Sequence, residues 1–412
     1  MARLTVFLNQ DVVGTLVQND DDSLEFRYDP AWVARTDAVP LSRSLPLQED
    51  AFRGKQARSF FAGILPDEGP RRQIAAVLGI SERNDFAMLE RIGGECAGAV
   101  SLWPEGGSPA APETGFRELS ERELFDVISE LPDRPLLAGR DGIRLSLAGA
   151  QDKLPVIMSR NRDIQLPVGN TPSTHIIKPE PARFSGLASN EALCMTLAGR
   201  VGLNVPQTVV RPVNGRPCLV VARYDRVTLQ DGTVVRVHQE DFCQAMGFPP
   251  ERKYQQEGGP LLRDCFRLLR EWSSAPVLDI RDFVDGVMFN MIVGNADAHG
   301  KNYSLLYRNG TRRIAPLYDI VCTLAWPALS KVPAMKVGKS QSMNNIAPGN
   351  WKYMAEEARL NWPMVRLRLQ QMARRVLAEI DAPEVRLAAS NDAVFESVSQ
   401  IIRARAASMQ DV

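Results

Sequence analysis

Short alternating runs of apolar and polar residues open the chain. Three of them, at residues 4–8, 12–17 and 23–28, are separated by polar turns, which is the pattern of short β-strands. Apolar residues then recur with helical spacing at 71–78 and 85–92. The pattern predicts that the first hundred residues form a small, β-rich subdomain.

The pattern changes from about residue 140 onward. Alternation predicts strands at 143–147, 154–158 and 175–178, and Ser189 offers an N-cap to the helix that follows. The dipeptide Asn214-Gly215 between two apolar runs predicts a β-hairpin. We therefore expect a second group of strands that is interrupted by one helix.

The rest of the chain has a mainly helical pattern. Apolar positions recur with a spacing of about 3.6 residues at 260–272, 280–293, 362–380 and 385–407. One predicted hairpin, which turns at Asn309-Gly310, interrupts these helices. The fold class expected is α/β (α+β), with β-rich parts first and helices last.

A stretch rich in proline, glycine and serine at residues 104–115 indicates a linker and a domain boundary. The chain has 412 residues, enough for two or three folding units. We expect an N-terminal subdomain at 1–105, a linker region at 106–139, a strand-rich lobe at 140–225 and a mainly helical lobe at 226–412.

The composition excludes several classes of protein. Basic and acidic residues number 49 each, so the formal net charge is zero, and any contact with DNA is expected mainly through a partner. Six scattered cysteines without CxxC spacing favour reduced thiols and a cytoplasmic location. No apolar run approaches the roughly 18 residues of a membrane span, so no membrane contact is expected. With three histidines and no paired thiols, a metal should be held by oxygen ligands rather than as structural zinc.

The strongest candidate for chemistry surrounds the hairpin at Asn309-Gly310. A two-residue turn there would place Asn302 opposite Leu317, with Asp319 two residues further along the same face. Diagonal neighbours on one face lie roughly 7 to 8 Å apart, close enough for an amide oxygen and a carboxylate to share one cation. Two hard oxygen ligands suit Mg²⁺, which takes other ligands from water and substrate phosphates.

Asp297 precedes Asn302 by five residues, the spacing found in the catalytic loop of protein kinases. In that loop the aspartate accepts the hydroxyl proton and the asparagine holds a metal ion. The structural alternative is that Asp297 ends a helix and Asp319 closes a strand. Together with the hairpin geometry, the spacing favours the catalytic interpretation.

Three further segments are candidates with simpler alternatives. Lys178 ends a strand, as a kinase lysine does, but such a residue is more often a solvated edge residue. The small-residue turn from Ser146 to Lys153 offers backbone N–H groups to phosphates, although it matches no standard phosphate motif and a plain hairpin turn is the simpler interpretation. The end of the hairpin, residues 221–225, lies where a two-lobed kinase would join its lobes and bind adenine and ribose, but only its position supports this role.

Two charged segments have structural interpretations that we prefer. Residues 239–241 are expected to form the acidic first turn of a helix. The basic stretch containing Arg366, Arg368, Arg374 and Arg375 is expected to be a solvated helix face, with an acidic or nucleic-acid partner as the alternative.

Taken in order, six motifs resemble those of the HipA family of serine/threonine kinases, toxins of bacterial type II toxin-antitoxin pairs. The opening hundred residues also resemble that family's N-terminal subdomain, so the resemblance covers nearly the whole chain. The motifs are Ser146-Leu-Ala-Gly-Ala-Gln-Asp-Lys153, His175-Ile-Ile-Lys178, Ala222-Arg-Tyr-Asp225, His238-Gln-Glu-Asp241, Gly294-Asn-Ala-Asp-Ala-His-Gly-Lys-Asn302 and Tyr318-Asp-Ile320.

The resemblance implies a two-lobed protein-kinase-like fold that binds ATP and Mg²⁺ between an N-lobe and a mostly helical C-lobe. It implies that Asp297 accepts the proton, that Asn302 and Asp319 hold the metal, and that Ser146 is autophosphorylated, with loss of activity. A phosphate added beside a phosphate-binding loop would repel ATP, which makes this physically reasonable. The nucleotide site would comprise Ala148, Gly149, Ala150, Gln151, Asp152, Lys153, Lys178, Ala222, Arg223, Tyr224, His299, Gly300, Lys301, Asn302, Tyr318 and Asp319.

The resemblance also implies partners: a HipB-like DNA-binding antitoxin, through which DNA is contacted, and a protein substrate such as an aminoacyl-tRNA synthetase. One position departs from the family, because Ala222 stands where relatives can carry an acidic hinge residue, which leaves only backbone recognition of adenine there. Two other function classes fit the same residues. One is a small-molecule phosphotransferase, and the other is a catalytically quiet module that modulates a DNA-bound antitoxin repressor.

Overall fold

A five-stranded antiparallel sheet opens the chain in the computed structural model, which describes residues 2–109, 115–410 and 412. Its elements are β1 (Ala2–Leu8), β2 (Asp11–Gln18), β3 (Leu24–Tyr28), α1 (Pro30–Val33), β4 (Phe52–Arg53), α2 (Lys55–Phe61), α3 (Glu68–Leu78), α4 (Asp85–Ile92) and β5 (Val100–Pro104). The strand order is β4-β3-β2-β1-β5. Alternate residues such as Leu4, Val6 and Phe26 are fully buried, so the alternation in the sequence does mark one apolar face of this sheet. The three predicted strands and two predicted helices are confirmed.

A six-stranded antiparallel sheet forms the middle of the chain. Its elements are β6 (Gly115–Glu118), α5 (Glu121–Glu130), β7 (Leu154–Met158), β8 (Ile164–Val168), β9 (His175–Pro179), α6 (Leu187–Arg200), β10 (Thr208–Val213) and β11 (Arg216–Ala222). The strand order is β10-β11-β9-β7-β8-β6. The predicted hairpin is confirmed, since Val213 pairs with Arg216 and both turn residues, Asn214 and Gly215, have positive φ.

The predicted strand at 143–147 is wrong. This segment makes a single parallel bridge, from Leu145 to Glu95, because its backbone binds the loop at Glu95 rather than a strand. The N–H of Glu95 donates to the Arg144 carbonyl at 2.7 Å, and the N–H of Ser146 donates to the Glu95 carbonyl at 2.9 Å. The alternation arose from burial of Ile143 and Leu145 between the two sheets' core residues. The segment therefore joins the N-terminal subdomain to the region that follows.

The start of α6 also differs from the prediction. The helix begins at Leu187, and its N-cap position is Gly186, with φ +81°. Ser189 therefore lies inside the first turn and is buried. Leu193 and Leu197 lie on the buried face of this helix.

The predicted linker region contains folded elements. Residues 110–114, at its proline-rich start, lie outside the described residues. Beyond them, β6 is an edge strand of the six-stranded sheet, and α5 begins with a capping box between Ser120 and Glu123. The turn-forming composition at 104–115 therefore marks only a short part of this region.

Helices dominate the remainder of the chain, as predicted. The elements are β12 (Arg226–Thr228), β13 (Val234–Arg236), β14 (His238–Asp241), α7 (Phe242–Met246), α8 (Leu262–Trp272), α9 (Pro276–Val293), β15 (Ser304–Arg308), β16 (Thr311–Ile314), α10 (Pro348–Glu357), α11 (Trp362–Glu379), α12 (Pro383–Ala389) and α13 (Asp392–Gln410). The helix predicted at 385–407 is split into α12 and α13, because Ser390 adopts a left-handed conformation with φ +49°.

The hairpin β15–β16 has the predicted register, with Arg308 opposite Thr311 and Leu305 opposite Ile314. The strand pairing ends at Ile314, however, so it does not extend to Asn302 and Leu317. Asn302 instead lies in a short 3-10 turn, Gly300–Asn302. Any proximity of Asn302 and Asp319 therefore depends on the loops that lie beyond the paired strands β15 and β16.

Two charged segments are placed differently from expectation. Residues 239–241 belong to β14, not to a helix, and Asp241 caps α7 by accepting from the Gln244 N–H at 2.8 Å. On α11, Arg368 forms an ion pair with Asp285, and Arg366 donates to the Val412 carbonyl at 2.6 Å. The basic stretch is therefore partly engaged by packing and ion pairs, not only solvated.

Two hydrophobic cores explain where a cleft forms. One core combines the two large sheets, with Phe26, Leu154 and Val220 among its buried members. The other combines the C-terminal helices with α6, which contributes Leu193 and Leu197. The boundary between the cores runs between β9 with its sheet on one side and α6 with the C-terminal helices on the other. No helix among the described residues is long and apolar enough to cross a membrane.

Candidate active site

A cavity of about 530 Å³ lies at this boundary, a size within the range of small-molecule sites. Nearly all of the predicted nucleotide-site residues line it. Gly300 does not, because it packs behind the cavity, where an added Cβ would lie 2.8 Å from the Cys243 sulfur. The predicted residues that line the cavity are Ala148, Gly149, Ala150, Gln151, Asp152, Lys153, Lys178, Ala222, Arg223, Tyr224, Asp297, His299, Lys301, Asn302, Tyr318 and Asp319.

Asp297 lies in the turn that follows α9. Gly294 ends the helix with φ +79°, and the Asn295 side chain accepts from the Asp297 N–H at 3.0 Å, which fixes the turn. The carboxylate faces the cavity, and the Tyr254 hydroxyl donates to its Oδ1 at 2.9 Å. Burial by the surrounding walls raises the pKa of Asp297 to about 6. Above that pH the carboxylate is ionised and can accept a proton.

Lys178 joins the two sides of the cavity. From the end of β9 its ammonium donates to Glu191 on α6 at 2.7 Å and to Asp319 at 2.5 Å. Burial alone would lower the pKa of Lys178, but Asp319 and Glu191 outweigh it and hold the pKa above its ordinary value. A strand lysine paired with a helix glutamate is the arrangement that protein kinases use to position ATP phosphates.

Asn302 and Asp319 meet as predicted, although no ladder joins them. The Asn302 amide nitrogen donates to Asp319 Oδ2 at 3.1 Å, while its oxygen accepts from the His299 N–H at 3.1 Å. Asp319 has φ +60°, a left-handed conformation uncommon for aspartate that places the carboxylate beside Lys178. Burial alone would raise the pKa of Asp319, but Lys178 and Lys153 outweigh it and hold the pKa well below its usual range.

Asn302 and Asp319 suit a Mg²⁺ ion that takes most of its ligands from water and phosphates. They are too few to hold a metal ion by protein groups alone. In the described part of the chain, no group of three or more His, Cys, Asp or Glu residues is arranged to hold a metal ion. Asp319 is ionised with 44% of its side chain exposed to the cavity, and the Asn302 oxygen retains a second lone pair. A carboxylate and an amide oxygen beside open space suit an ion that takes its remaining ligands from phosphates.

The small-residue loop folds around its own lysine. The Lys153 ammonium donates to the Ala148 carbonyl at 2.6 Å, and Gly149, with φ +111°, passes so close that a Cβ there would lie 2.4 Å from the lysine nitrogen. Burial, together with the charge of Lys178, lowers the pKa of Lys153 to about 8. The loop therefore surrounds a cation at the cavity wall.

Ser146 is fully buried and does not line the cavity. Its hydroxyl donates to the Ile64 carbonyl at 3.1 Å, and its N–H donates to Glu95. A phosphate group could be added to Ser146 only after this segment moves outward.

The predicted hinge has its first two N–H groups already engaged. The N–H of Ala222 donates to the Gln207 carbonyl and that of Arg223 to the Thr174 carbonyl, both at 2.9 Å. Tyr224 stacks on Tyr318, with ring centroids 5.4 Å apart. Backbone recognition of adenine by the first two N–H groups would therefore require that these bonds break.

Several residues at this site were missed by the sequence analysis. Glu191 carried a usable signal, since it is the only acidic residue of the fourteen in α6 and lies on a buried face. Tyr254, Lys253 and Asp67 carried none, because their proximity to Asp297 results from contacts between distant parts of the chain.

The fold and the site together define a two-lobed, kinase-like protein with an additional N-terminal subdomain. Two family models match the chain: the HipA N-terminal domain at residues 4–103 and the HipA-like C-terminal domain at residues 145–380. The chain belongs to the HipA family.

Relatives and a solved structure agree with this assignment. The chain is 45% identical over 373 residues to the "Putative kinase Y4mE" of Sinorhizobium fredii, covering 90% of this chain and 89% of the relative. It is 30% identical over 336 residues to the serine/threonine-protein kinase toxin HipA of Shewanella oneidensis, covering 79% and 76%. It also matches the structure of the Shewanella oneidensis HipA, HipB and operator DNA complex, with a TM-score of 0.86, 27% identity and 99% coverage of both chains.

Proposed function

We propose that this chain is the kinase toxin of a toxin-antitoxin pair and transfers the γ-phosphoryl group of ATP to a serine or threonine hydroxyl of a protein. One observation carries the proposal. Asp297, Asn302, Asp319 and the Lys178–Glu191 ion pair, which are distant in sequence, converge on one cavity at the boundary between the two cores. This is the set of groups that phosphoryl transfer requires.

In the proposed reaction the substrate hydroxyl oxygen attacks the γ-phosphorus while the bond to the β–γ bridging oxygen breaks. A new oxygen–phosphorus bond forms and ADP leaves. Asp297 orients the hydroxyl and takes its proton, which later passes to solvent. The hydrogen bond from Tyr254 holds the Asp297 carboxylate in place for this step.

Lys178 would bind the nucleotide phosphates, together with the backbone N–H groups and the lysine of the loop 148–153. Asn302 and Asp319 would hold Mg²⁺, which neutralises charge on the phosphates. Asp319 is suited to this because it stays ionised across the physiological pH range. The apolar side chains of Ile176 and Val221, near the hinge, would face adenine.

We also propose that Ser146 is autophosphorylated. Because Ser146 is buried, the modified segment would have to leave its site between Ile64 and Glu95, and a dianionic phosphate would keep it from returning. Intact mass after incubation with ATP and Mg²⁺ should rise by one phosphate in the unmodified chain and not in Ser146→Ala. An equal gain in both would contradict this.

The partners are proposed from relatives. The matching structure from Shewanella oneidensis contains HipA, HipB and operator DNA, so we propose a HipB-like antitoxin that carries most of the DNA contact. The zero net charge supports this division of roles. A cytoplasmic protein substrate, such as an aminoacyl-tRNA synthetase, is part of the same proposal.

A phosphorylation assay in a cell lysate tests the function. With γ-labelled ATP, the chain should label protein bands that Asp297→Asn does not label, while the variant should keep its fold and its ADP affinity. Labelling of a small alcohol with no protein band would instead favour a small-molecule phosphotransferase. Failure to bind any nucleotide, with a retained effect on antitoxin affinity for the operator, would favour a quiet regulatory subunit.

A further inference from the structure

A strained turn brings the N-terminal subdomain into the cavity. Asp67 is the N-cap residue of α3 and Glu68 is its first residue, and Glu68 has φ +41°, a conformation that costs free energy for a residue other than glycine. The turn lies against the loop 148–153, since the Asp67 N–H donates to the Gly149 carbonyl at 3.3 Å. A strained conformation persists only where the surrounding contacts hold it. The contacts of Asp67 are the ones that hold this turn against the rest of the chain.

Asp67 holds two lysines from the C-terminal part of the chain. Its Oδ1 accepts from Lys301 at 2.6 Å and its Oδ2 from Lys253 at 3.2 Å, and the three side chains are each more than nine-tenths buried. Burial alone would raise the pKa of Asp67, but the two lysines lower it to about 2. Glu68 also lies 3.5 Å from Lys253, but 70% of its side chain is exposed.

Lys253 and Lys301 share the buried carboxylate of Asp67, but they differ in their other anionic neighbours. The buried Asp241 also helps to raise the pKa of Lys301, whereas the second carboxylate paired with Lys253 is that of Glu68, which water screens. Both lysines line the cavity, and Lys253 has the longer bond to Asp67, so it is the more available of the two cations. An ammonium group beside open space favours an anionic ligand.

Lys253 is also directly connected to the proposed proton acceptor. The next residue, Tyr254, donates to Asp297, and the Lys253 carbonyl accepts from the Gly300 N–H at 3.4 Å, within the turn that carries Asp297. Lys253 and Asp297 both line the cavity. The γ-phosphoryl group must come to Asp297 during transfer, and its equatorial oxygens then carry the charge.

We propose that Lys253 binds the γ-phosphoryl group and that Asp67, from the N-terminal subdomain, is the positioning residue that holds Lys253 toward it. This inference rests on the proposed kinase function. It makes the N-terminal subdomain part of the active site, because that subdomain supplies the carboxylate that orients a phosphate-binding lysine.

Comparing ATP with ADP isolates the γ-phosphate contact. Calorimetry with Mg²⁺ should show that Lys253→Met weakens ATP binding about tenfold and leaves ADP binding within about twofold, because only ATP has the group that Lys253 contacts. Lys253→Arg should retain most of the ATP affinity. Lys55→Met, which removes an exposed lysine of the N-terminal subdomain, is the control and should change neither affinity.

Asp67→Asn separates positioning from binding. Without the carboxylate, ATP affinity should be retained or increased because the lysines lose their counter-charge, whereas kcat should fall at least about tenfold because Lys253 is no longer held in place. This variant also serves if Lys253→Met does not fold.

The outcomes of these experiments distinguish the inference about Lys253 and Asp67 from the proposed kinase function on which it rests. Equal losses of ATP and ADP affinity in Lys253→Met, or an unchanged kcat in Asp67→Asn, would overturn the inference and leave the kinase function standing. Absence of binding of either nucleotide to the unmodified chain would overturn both.

Discussion

Two ionic networks of the molecule differ in how far they are closed off from solvent. The first contains Glu95, Arg223, Asp225 and Arg226, whose side chains are at most 3% exposed. The second contains Lys178, Glu191 and Asp319, and there 44% of the Asp319 side chain is open to the cavity. One network is closed by protein groups, and the other is left open on the side where a ligand would bind.

The closed network explains how the N-terminal subdomain is attached. Glu95 accepts from the N–H and hydroxyl of Ser173, both at 3.0 Å, and pairs with Arg223 at 3.1 Å and Arg226 at 2.8 Å. Burial alone would raise the pKa of Glu95, but the arginines lower it to about 2. We infer that the closed network stabilises the fold, whereas the open network serves phosphoryl transfer. Mutations in the closed network should therefore lower stability, and mutations in the open network should lower activity.

The largest expected effect is on activity, from the open network. Asp319→Asn removes the anionic metal ligand and one partner of Lys178, so phosphoryl transfer should fall by about 10² to 10³ or more. The melting temperature should change little, because the side chain faces the cavity. Asp282→Asn, at a half-buried position on α9 that does not line the cavity, is the control and should retain full activity in a γ-labelled ATP assay. Near-normal activity of Asp319→Asn would show that the open network is not needed for phosphoryl transfer, which would contradict the proposed difference between the two networks.

The next effect is on stability, from the closed network. Glu95→Gln removes one of the two buried carboxylates that Arg223 and Arg226 share and leaves both guanidinium groups facing Asp225 alone. The free energy of unfolding should therefore fall by about 3 to 5 kcal/mol. Urea denaturation followed by circular dichroism measures it. The control Glu25→Gln breaks a solvent-exposed pair with Arg53 and should leave the unfolding midpoint almost unchanged. Similar urea midpoints for Glu95→Gln and Glu25→Gln would show that Glu95 does not stabilise the attachment of the N-terminal subdomain.

The smallest expected effect is a shift in pH dependence. Because burial raises the pKa of Asp297 to about 6 and the base must be ionised, kcat/KM should fall as the pH drops below about 6. The Tyr254 hydroxyl donates to the ionised carboxylate and so opposes this rise in the pKa. Tyr254→Phe should move the acid limb to higher pH with little change in the rate at pH 8. An acid limb that does not move would mean that Tyr254 does not act on Asp297.

The sequence could predict those parts of the fold and the site that local patterns determine. Local patterns gave the hairpin register at Arg308 and Thr311 and the strand that carries Lys178, because turn residues and alternation determine them. The proximity of Asn302 and Asp319 was predicted correctly, although the ladder expected to join them ends at Ile314. The alternation at 143–147 was misinterpreted, since burial against a loop produces the same pattern as a strand.

Contacts between distant segments could not be read from the sequence. Asp67 meets Lys301 across 234 positions of sequence, and Glu95 meets Arg223 across 128. Nothing local in either acidic residue distinguishes it from the solvated carboxylates of a neutral chain. The residues of the proposed site were thus predicted where they form compact motifs and missed where separate segments supply them, as for Asp67, Lys253 and Tyr254.

An experimental structure of the chain with Mg²⁺ and a non-hydrolysable ATP analogue tests the central claim most directly. The account predicts that the triphosphate occupies the cavity, with Lys178 on its phosphates, the metal on Asn302 and Asp319, and the γ-phosphate within reach of Asp297. A nucleotide bound elsewhere, or a triphosphate directed away from Asp297 and Lys178, would contradict it.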